Sequence, residues 1–407
     1  MSEELGRTDC CIVGAGPGGA ILALLLARRG VAVTLLEAHS DFGRDFRGDT
    51  IHPSTLELMQ ELSLLEPLLQ IPHTRHQTLM LTSSRGRIPY LDFSQLRSPF
   101  PFILRMPQPR VLEFLTNQAA RYAEFRLCLG SRVEQLIEEN GRVAGVRYRC
   151  SNDLRELRAN LVVGADGRFS RVRELAGLRR THSAQPIDLL WFRLPHSQSD
   201  PPTDGGLFVR ASHFAFIRNR GDNWQIAYML QKGQYQHLRS TGIEAVRRSL
   251  TDLVPWLTDR VGLLRDWSQT SLLSVESSRV KRWHTPGLLL VGDAAHVMSP
   301  VGGVGINLAI QDAVAAANIV GPHLRSGGVP DRHLAAVQRR RELPTRLIQL
   351  FQDLLLEFIL TCDAPASTGV APGRIVERLH PLRALRIRLF AFGGLAPEHA
   401  IPRASST

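Results

Sequence analysis

The stretch that decides the fold is CCIVGAGPGGAILALLLARRGVAVTLLEAHS, from Cys10 to Ser40, whose first eighteen residues carry no charge. An uncharged run of about eighteen residues is long enough to suggest a transmembrane helix. The glycines and the proline in its middle, GAGPGG at 14–19, would interrupt a helix exposed to lipid and favour a turn instead. The chain opens with MSEELGRTD, which lacks the basic segment of a secretory signal. We therefore expect neither a membrane span nor an export signal here.

The same residues fit a strand, a tight turn, a helix and a second strand. The run Asp9 to Val13 predicts a buried parallel strand, a helix follows from about Gly18 to Arg29, and Ala32 to Leu36 predict the second strand. The turn has the pattern Gly-x-Gly-x-x-Gly and an acid follows the second strand; the residues are Gly14, Gly16, Gly19 and Glu37. This order predicts a dinucleotide-binding unit, in which the glycines admit a pyrophosphate to the helix N-terminus and the acid accepts hydrogen bonds from ribose hydroxyls.

The composition limits the other possibilities. At 407 residues the chain is long enough for two domains. Five cysteines without metal-binding spacing predict a reducing compartment, the cytoplasm, with neither a disulfide framework nor a metal site. The histidines His52, His73, His76 and His296 also lack such spacing, and we expect them to be loop or packing residues. The net charge of +11 comes mostly from arginines spread along the chain, so we expect no nucleic-acid-binding patch.

Two further predicted strands end in an aspartate. In LVVGADGRFSRVRELAGL, from residue 161, a buried strand is followed by Asp166, at the edge of the sheet where ligands bind in doubly wound folds, although an aspartate that caps the next helix fits the pattern too. In LLLVGDAAHVMSPVGGVGINLAIQDAVAAANIV, from residue 288, a strand ends in Gly292-Asp293, and a glycine-rich loop leads to a helix that begins near Gly305. The free N–H groups of that helix N-terminus would face the same edge of the sheet.

With GAGPGG and Glu37, GADGRFSRVR, and GDAAHVMSPVGGVGIN in this order, the chain resembles the group A flavoprotein monooxygenases, the family of para-hydroxybenzoate hydroxylase and related aromatic hydroxylases, over roughly residues 8 to 345. The resemblance implies an α/β fold, with a Rossmann-like FAD-binding domain, an inserted and mostly β substrate domain, and a helical C-terminal segment. The implied FAD-binding domain comprises residues 1–84, 105–180 and 281–345, the substrate domain 85–104 and 181–280, and the C-terminal segment 346–407.

The resemblance also implies roles for individual residues. The pyrophosphate of FAD would contact Gly14, Gly16 and Gly19, and its adenosine ribose would contact Glu37. Arg47 would lie near the phosphates, Gln108 and Asp293 near the ribityl chain, and Asp166 near both FAD and the nicotinamide cofactor. The wall around the flavin ring would comprise Pro300, Gly302, Gly305, Ile306 and Asn307. No protein base is implied, because the flavin carries the reaction.

The implied activity is that of a single-component monooxygenase. NAD(P)H would reduce FAD and leave, since only one Gly-x-Gly-x-x-Gly motif is present. O2 would then form a flavin C4a-hydroperoxide that hydroxylates a small aromatic, polycyclic or otherwise lipophilic substrate. Three alternatives stay open: reduction of isoprenoid double bonds, halogenation, although the GWxWxIP signature is missing, and a flavoprotein without catalytic activity.

Between the second and third motifs the pattern becomes that of β-strands. The segments HFAFIRN (213–219) and WQIAYML (224–230) predict a β-hairpin. The hairpin positions expected to contact the substrate are Phe214, Phe216, Gln225 and Ala227. Their alternates would do so instead if the register shifted by one residue, because such a shift exchanges the two faces.

The C-terminal part has two apolar helical segments. TRLIQLFQDLLLEFIL, residues 345–360, is too apolar for a solvated helix and must pack against something. ERLHPLRALRIRLFAFGGL, residues 377–395, mixes arginine with leucine and phenylalanine. It predicts an amphipathic helix that packs on the protein's own core or on a dimer partner, or that makes weak contact with a membrane surface.

Overall fold

The computed structural model describes residues 6–43, 49–203, 205–210, 213–361 and 380–400. Its strands, in chain order, are β1 (Arg7–Val13), β2 (Val33–Leu36), β3 (Thr50–Ile51), β4 (Thr74–His76), β5 (Thr78–Ser83), β6 (Gly86–Asp92), β7 (Ile103–Arg105), β8 (Phe125–Cys128), β9 (Ser131–Glu139), β10 (Arg142–Cys150), β11 (Asp153–Gly164), β12 (Arg180–Pro195), β13 (Gly205–Arg210), β14 (His213–Asn219), β15 (Asn223–Gln231), β16 (Ser271–Val280), β17 (His284–Thr285), β18 (Leu288–Leu290) and β19 (His296–Val297).

The helices are α1 (Pro17–Ala27), α2 (Pro53–Glu61), α3 (Leu65–Leu69), α4 (Gln108–Ala119), α5 (Arg171–Leu175), α6 (Tyr235–Thr241), α7 (Glu244–Leu253), α8 (Gly305–Leu324), α9 (Asp331–Thr361) and α10 (His380–Phe392). Short 3₁₀ helices span Phe93–Gln95, Pro255–Leu257, Val261–Leu263, Trp267–Gln269, Gly292–Ala294 and Val301–Gly303.

The first sheet is the predicted dinucleotide-binding sheet. Its strand order is β17-β18-β11-β1-β2-β8, and β1 pairs in parallel with both β11 and β2. The side chains of Cys10, Cys11 and Ile12 are fully buried, which explains why this strand carries no charge between Cys10 and Val13. The strand, turn, helix and strand expected from residue 9 to residue 36 are confirmed.

Helices and strands cover the two faces of this sheet. Apolar residues of α1, α4 and α8 form one core with β1 and β2. On the opposite face, residues of β9, β10 and β11 form a second core with Val172 of α5. Helix α1 lies very close to the turn after β1, since a Cβ on Gly19 would be 2.0 Å from the carbonyl oxygen of Gly14. Gly19 therefore serves the packing of helix against turn.

The second sheet is the predicted inserted sheet, with strand order β19-β16-β12-β15-β14-β13-β5-β6. The predicted hairpin is confirmed as β14 paired antiparallel with β15. Side chains along β15 alternate between two cores: Trp224 and Ile226 pack with α7, whereas Ala227 and Met229 pack with the opposite core. The remaining short strands form a small sheet of order β3-β7-β4.

Two predicted domain boundaries differ from the architecture. The boundary at 84/85 would separate β5 from β6, but these strands are the two arms of one antiparallel hairpin, and β5 also pairs with β13. The second sheet therefore begins at Thr78. The boundary at 345/346 falls inside α9, which continues without interruption through Pro344. Residues on both sides of that point, Arg341 and Ile348, are buried in the same protein interior.

Helix α10 packs on the protein's own core. Ile387, Leu389, Phe390 and Phe392 are buried and join the core beneath the second sheet. Because these apolar side chains are buried in the protein, nothing supports the predicted membrane contact of residues 377–395. Residues 377–379 of that segment lie outside the described residues. Elsewhere in the described chain one helical stretch, Val301–Leu324, could cross a membrane by length and composition, but 67% of its apolar window is buried inside the protein.

Candidate active site

A cavity of about 1370 Å³ lies between the carboxyl edge of the first sheet and the inner face of the second sheet. Its lining includes residues of all three sequence motifs, together with Gln108; the motif residues are Gly14, Gly16, Glu37, Asp166, Asp293, Pro300, Gly302, Gly305 and Ile306. It also includes the predicted substrate residues Phe214, Phe216 and Ala227. Pockets for drug-sized ligands measure about 300–1,000 Å³. The cavity is therefore large enough for two ligands side by side.

The glycine turn opens the cavity at the N-terminus of α1. Gly14 has φ 101°, and a Cβ there would lie 2.6 Å from the Ala165 carbonyl oxygen, so only glycine fits. Gly16 caps the helix without a side-chain hydrogen bond, and a Cβ on it would meet nothing within 4 Å. Pro17, the first residue of α1, has no N–H, and both Pro17 and Gly18 line the cavity. The N-terminus of α1 therefore borders the cavity, as an anion-binding helix terminus requires.

Glu37 is a buried carboxylate beside this turn. Its Oε2 accepts a hydrogen bond from the Ala15 N–H at 2.8 Å. Its Oε1 accepts hydrogen bonds from the His39 N–H at 3.2 Å and from the His39 ring Nδ1–H at 2.8 Å. These bonds fix the orientation of a carboxylate that lines the cavity at the end of β2.

Asp166 lines the cavity at the carboxyl end of β11 and also holds the start of α5. Its Oδ1 accepts a hydrogen bond from the Ser170 hydroxyl at 2.5 Å, and its Oδ2 accepts one from the Val172 N–H at 3.0 Å. Burial raises the pKa of Asp166 above its ordinary value, although these hydrogen bonds oppose the shift. The N-cap of α5 is Ser170, whose hydroxyl oxygen accepts a hydrogen bond from the Arg173 N–H at 3.0 Å, and Asp166 supports this cap from the preceding turn.

The segment 299–304, here called the Pro300 loop, forms another wall of the cavity through residues 299–303, whereas Val304 is buried behind it. Gly302 and Gly303 have φ values of 78° and 65°. Helix α8 begins directly after the loop at Gly305, where a Cβ would meet only Asp293 Oδ1 at 3.9 Å. The helix N-terminus, with its unpaired N–H groups and partial positive charge, therefore borders the cavity.

Two buried polar side chains hold the Pro300 loop from behind. The ring Nε2–H of His52 donates a hydrogen bond to the Gly303 carbonyl at 3.1 Å. The side-chain amide of Gln352 donates to the Ser299 and Val301 carbonyls, both at 2.7 Å. Burial lowers the pKa of His52 to about 4, so the ring is neutral at neutral pH. His52 is thus a packing histidine, as expected, that contacts the wall of the cavity.

A buried ion cluster holds the turn that carries Asp293. Asp312 of α8 accepts hydrogen bonds from the Gly292 N–H at 3.0 Å, from His296 Nε2 at 2.6 Å and from Arg341 Nε at 2.9 Å. Burial alone would raise the pKa of Asp312, but the charges and hydrogen bonds of His296 and Arg341 outweigh it and lower the pKa. His296 is therefore a structural residue.

Four of the predicted site residues are not found in the lining of the cavity. Gly19 is not part of the cavity lining and packs against Gly14. Asn307 is fully buried and points away from the cavity, because its amide donates to the Ala391 carbonyl at 3.3 Å and accepts from the Ser54 hydroxyl at 2.5 Å. Gln225 is also outside the lining, since its Oε1 accepts a hydrogen bond from Arg218 Nε at 2.7 Å. Arg47 lies outside the described residues.

The sequence interpretation missed much of the wall at the second sheet. Strand β12 contributes Ile187, Leu189 and Trp191 to the cavity, at every second position. The segment IDLLWFRLP is apolar at all four positions from 189 to 192, so its pattern indicates a strand buried on both faces and does not show which face is turned to the cavity. The residues between them pack on the other face, as Leu190 and Phe192 do.

The sequence also did not predict the buried ionisable residues in the wall of the cavity. Arg218 lines the cavity, forms an ion pair with Asp49 and lies 5.7 Å from the centre of the Trp191 ring. Burial lowers the pKa of Arg218 to about 10. Tyr90 and Arg105 line the same region, and burial raises the pKa of Tyr90 to about 12. Only contacts between distant segments bring these residues together, so sequence spacing gives no signal for them.

Residues 7–350, most of the chain, match the FAD binding domain family. A relative from Streptomyces rimosus, 6-methylpretetramide 4-monooxygenase, is 34% identical over 393 residues, which cover 95% of this chain and 93% of the relative. The chain belongs to the FAD-dependent monooxygenases. The donor set suits that cofactor, since this monooxygenase has two open helix N-termini and the carboxylates Glu37 and Asp293 along one cavity.

Solved structures of other monooxygenases share the fold. PqsL from P. aeruginosa, in complex with 2-aminobenzoylacetate, superimposes with a TM-score of 0.75 at 23% identity, covering 87% of this monooxygenase and 97% of PqsL. The p-nitrophenol 4-monooxygenase PnpA from Pseudomonas putida DLL-E4 has a TM-score of 0.76 at 18% identity, covering 96% and 97%. At these identities the likeness shows the fold of this monooxygenase and nothing about its substrate.

Proposed function

We propose that this monooxygenase uses FAD, NAD(P)H and O2 to hydroxylate an aromatic or polycyclic small molecule. The observation that carries the proposal is the continuity of the cavity. One space joins the glycine turn and Glu37 to the Pro300 loop and then to Trp191 and Phe216. A cofactor that extends from the glycine turn and Glu37 to the Pro300 loop would therefore contact a flat apolar substrate bound at Trp191 and Phe216.

The protein groups around the cavity have distinct roles in this proposal. FAD, when bound, supplies electron transfer from NAD(P)H to O2 and the oxygenating chemistry. Gly16 and the N-terminus of α1 bind its pyrophosphate, and Glu37 binds its adenosine ribose. Gln108 and Asp293 bind the ribityl chain. Arg47 and Asp166 are proposed to contact the cofactor as in the resembling family.

The N-terminus of α8 supports the chemistry through its field. Its free N–H groups, from Gly305 onward, border the cavity and stabilise negative charge that develops on a bound ring system. The apolar wall, which includes Leu189, Trp191 and Phe214, excludes water from the reaction space. Residues Phe214, Phe216 and Ala227 contact the substrate in this proposal.

The nicotinamide cofactor is proposed to bind transiently. A single Gly-x-Gly-x-x-Gly motif occurs in the sequence, and FAD is assigned to it. The relative named above acts on 6-methylpretetramide, so that compound is the first substrate to test, followed by phenols and other fused aromatic compounds.

The test is flavin reduction in a stopped-flow instrument, with and without each compound, followed by turnover under ¹⁸O2. We expect one compound to accelerate reduction of the bound FAD by NADH or NADPH and to gain one ¹⁸O atom. A product that forms without O2 would favour reduction of a double bond, and a product that requires chloride would favour halogenation. Either result would overturn the proposed hydroxylation.

A further inference from the structure

Helix α9 has a buried face and an exposed apolar face. Ile348, Leu355 and Ile359 are buried in the core beneath the second sheet. On the outer face Leu343, Leu350 and Leu354 are 61%, 58% and 47% exposed, and Leu347 lies half-buried between them. Isolated exposed leucines are ordinary, but several on one helix indicate an interaction surface.

The spacing of these leucines suits a helix as the partner. The residues, here called the leucine seam, are Leu343, Leu347, Leu350 and Leu354. They are separated by four, three and four positions, which is the alternation of a and d positions in a two-helix coiled coil. The buried face of α9 fixes the helix against the protein, so the seam is rigid and presents its leucines in one line.

The charges at the two ends of the seam favour a second copy of the same helix. The next positions in the same alternation are Arg340 and Glu357, and both side chains are exposed. Arg340 is paired with Glu398 of its own copy at 2.9 Å, and Glu398 also pairs with Arg341 at 3.6 Å, so Glu398 keeps a partner if Arg340 turns to the second copy. If two seams pair antiparallel, Leu343 faces Leu354, Leu347 faces Leu350, and Arg340 faces Glu357 of the other copy. Parallel pairing would instead set Arg340 against Arg340, which is unfavourable.

The charged residues beside the leucine seam also favour antiparallel pairing of two copies. Arg346 and Asp353, seven residues apart, lie beside the leucines on one edge. An antiparallel pair brings Arg346 of each copy next to Asp353 of the other, twice about a two-fold axis. Their present contacts are a bond from Arg346 to Glu342 at 2.5 Å and a bond from Gln185 to Asp353 at 2.9 Å. The Arg346 contact is exposed and contributes little stability, so exchanging it costs little. Gln185 is buried, so Asp353 keeps this bond through its Oδ1 and meets the partner's arginine through its Oδ2.

We propose that the leucine seam binds the leucine seam of a second copy of this chain, antiparallel, about a two-fold axis between Leu347 and Leu350. Leu395 widens the surface: it is 52% exposed and follows Gly394, where a Cβ would lie 3.4 Å from Pro344 Cβ. A standard stable interface buries about 800 Å² on each partner, and a seam of four leucines is smaller. The dimer therefore dissociates on dilution.

The experiment is sedimentation velocity of the full chain between about 1 and 100 μM, the range in which weak dimers dissociate. We expect the dimer fraction to rise with concentration. Leu350→Lys should leave the protein monomeric with an unchanged melting temperature. Leu154→Lys is the matched control, because Leu154 is 49% exposed on β11, outside the seam, and should leave dimerisation intact.

Charge reversal tests the antiparallel arrangement. Arg346→Asp and Asp353→Arg should each weaken the dimer at least about tenfold, which corresponds to about 1.4 kcal/mol, and the double variant should restore it. A wild-type chain that stays monomeric over the whole range overturns the proposal. A Leu350→Lys protein that still dimerises, or a double variant as weak as the single ones, overturns it too. None of these readouts depends on the substrate.

Discussion

The ring of Phe390 in α10 occupies the position that a side chain on Gly302 would need: a Cβ built on Gly302 would lie 1.7 Å from Phe390 Cε1. Gly302 also has φ 78°, a conformation that other residues rarely adopt. The C-terminal helix therefore presses directly on the Pro300 loop, which lines the cavity. This contact makes the cofactor site sensitive to a helix that lies far away in the sequence.

Gly302→Ala tests this contact. The new methyl group would displace Phe390 and strain the loop, at a cost of about 1–3 kcal/mol. We expect a lower melting temperature and weaker FAD retention, measured by differential scanning fluorimetry and flavin absorbance. Gly262→Ala is the control, since a Cβ there meets nothing within 4 Å and its φ is ordinary. Equal FAD retention in both variants would contradict a role of the Phe390 contact in shaping the site.

Gly305→Val fills the proposed flavin site without disturbing the fold. The side chain would project toward the cavity, where its nearest neighbour is Asp293 Oδ1, 3.9 Å from the Cβ. We expect the FAD-free protein to melt at the wild-type temperature, while FAD affinity falls at least about tenfold, or about 1.4 kcal/mol. Fluorescence titration of the FAD-free protein measures the affinity, and Gly262→Val serves as control. Wild-type affinity and reduction rate would remove Gly305 from the flavin wall.

Glu37→Gln removes one negative charge beside the glycine turn. The amide can still accept a hydrogen bond from the Ala15 N–H, but it loses one of the two acceptor oxygens that hold His39 and, in our proposal, the ribose hydroxyls. Loss of a charge-assisted hydrogen bond costs about 1–3 kcal/mol. We expect a correspondingly higher Kd for FAD in the same titration. Glu244→Gln, at an exposed glutamate on α7, should not change the Kd, and an unchanged value in Glu37→Gln would place the ribose elsewhere.

His52 should make the protein sensitive to mild acid. Its pKa is about 4 in the folded chain, against 6.5 for an ordinary histidine. Above pH 6.5 the ring is neutral in both states; as the pH falls from 6.5 to 4, the unfolded state binds the proton first and stability is lost, up to about 3 kcal/mol. His52→Gln, which does not titrate, should lose less stability between pH 7 and pH 4.5 in urea melts. Identical pH profiles would show that His52 is protonated without cost.

The sequence predicted the parts of the site that depend on local chain geometry. The positions of Gly14, Gly16 and Glu37 in the site were predictable, because each lies at the end of a strand and local secondary structure alone places it at the edge of the sheet. The alternation in HFAFIRN placed Phe214 and Phe216 on one face, and that face is the one toward the cavity. The choice between the two faces needed the packing of α7 against the opposite side.

Other residues could not be placed from local pattern. Asn307 begins a helix like its neighbours, but its amide is engaged by carbonyls of α10, more than eighty positions later. Gln352 and Arg218 act through partners on other elements, Ser299 and Asp49 respectively. Such pairings depend on the tertiary arrangement, and the spacing of residues in a single sequence does not indicate which distant residues will be in contact.

The first sheet contains strands that are synthesised at very different times during translation. Strand β1 ends at residue 13, whereas β18, two strands away in the same sheet, ends at residue 290. At about 5–20 residues per second, translation separates these two events by roughly 14–55 s. The contact between Gly302 and Phe390 forms later still. We therefore expect the nascent chain to expose apolar strands for tens of seconds and to acquire FAD only after residue 390 has been synthesised. Chaperone supply and free FAD at that moment would then set the yield of holoenzyme.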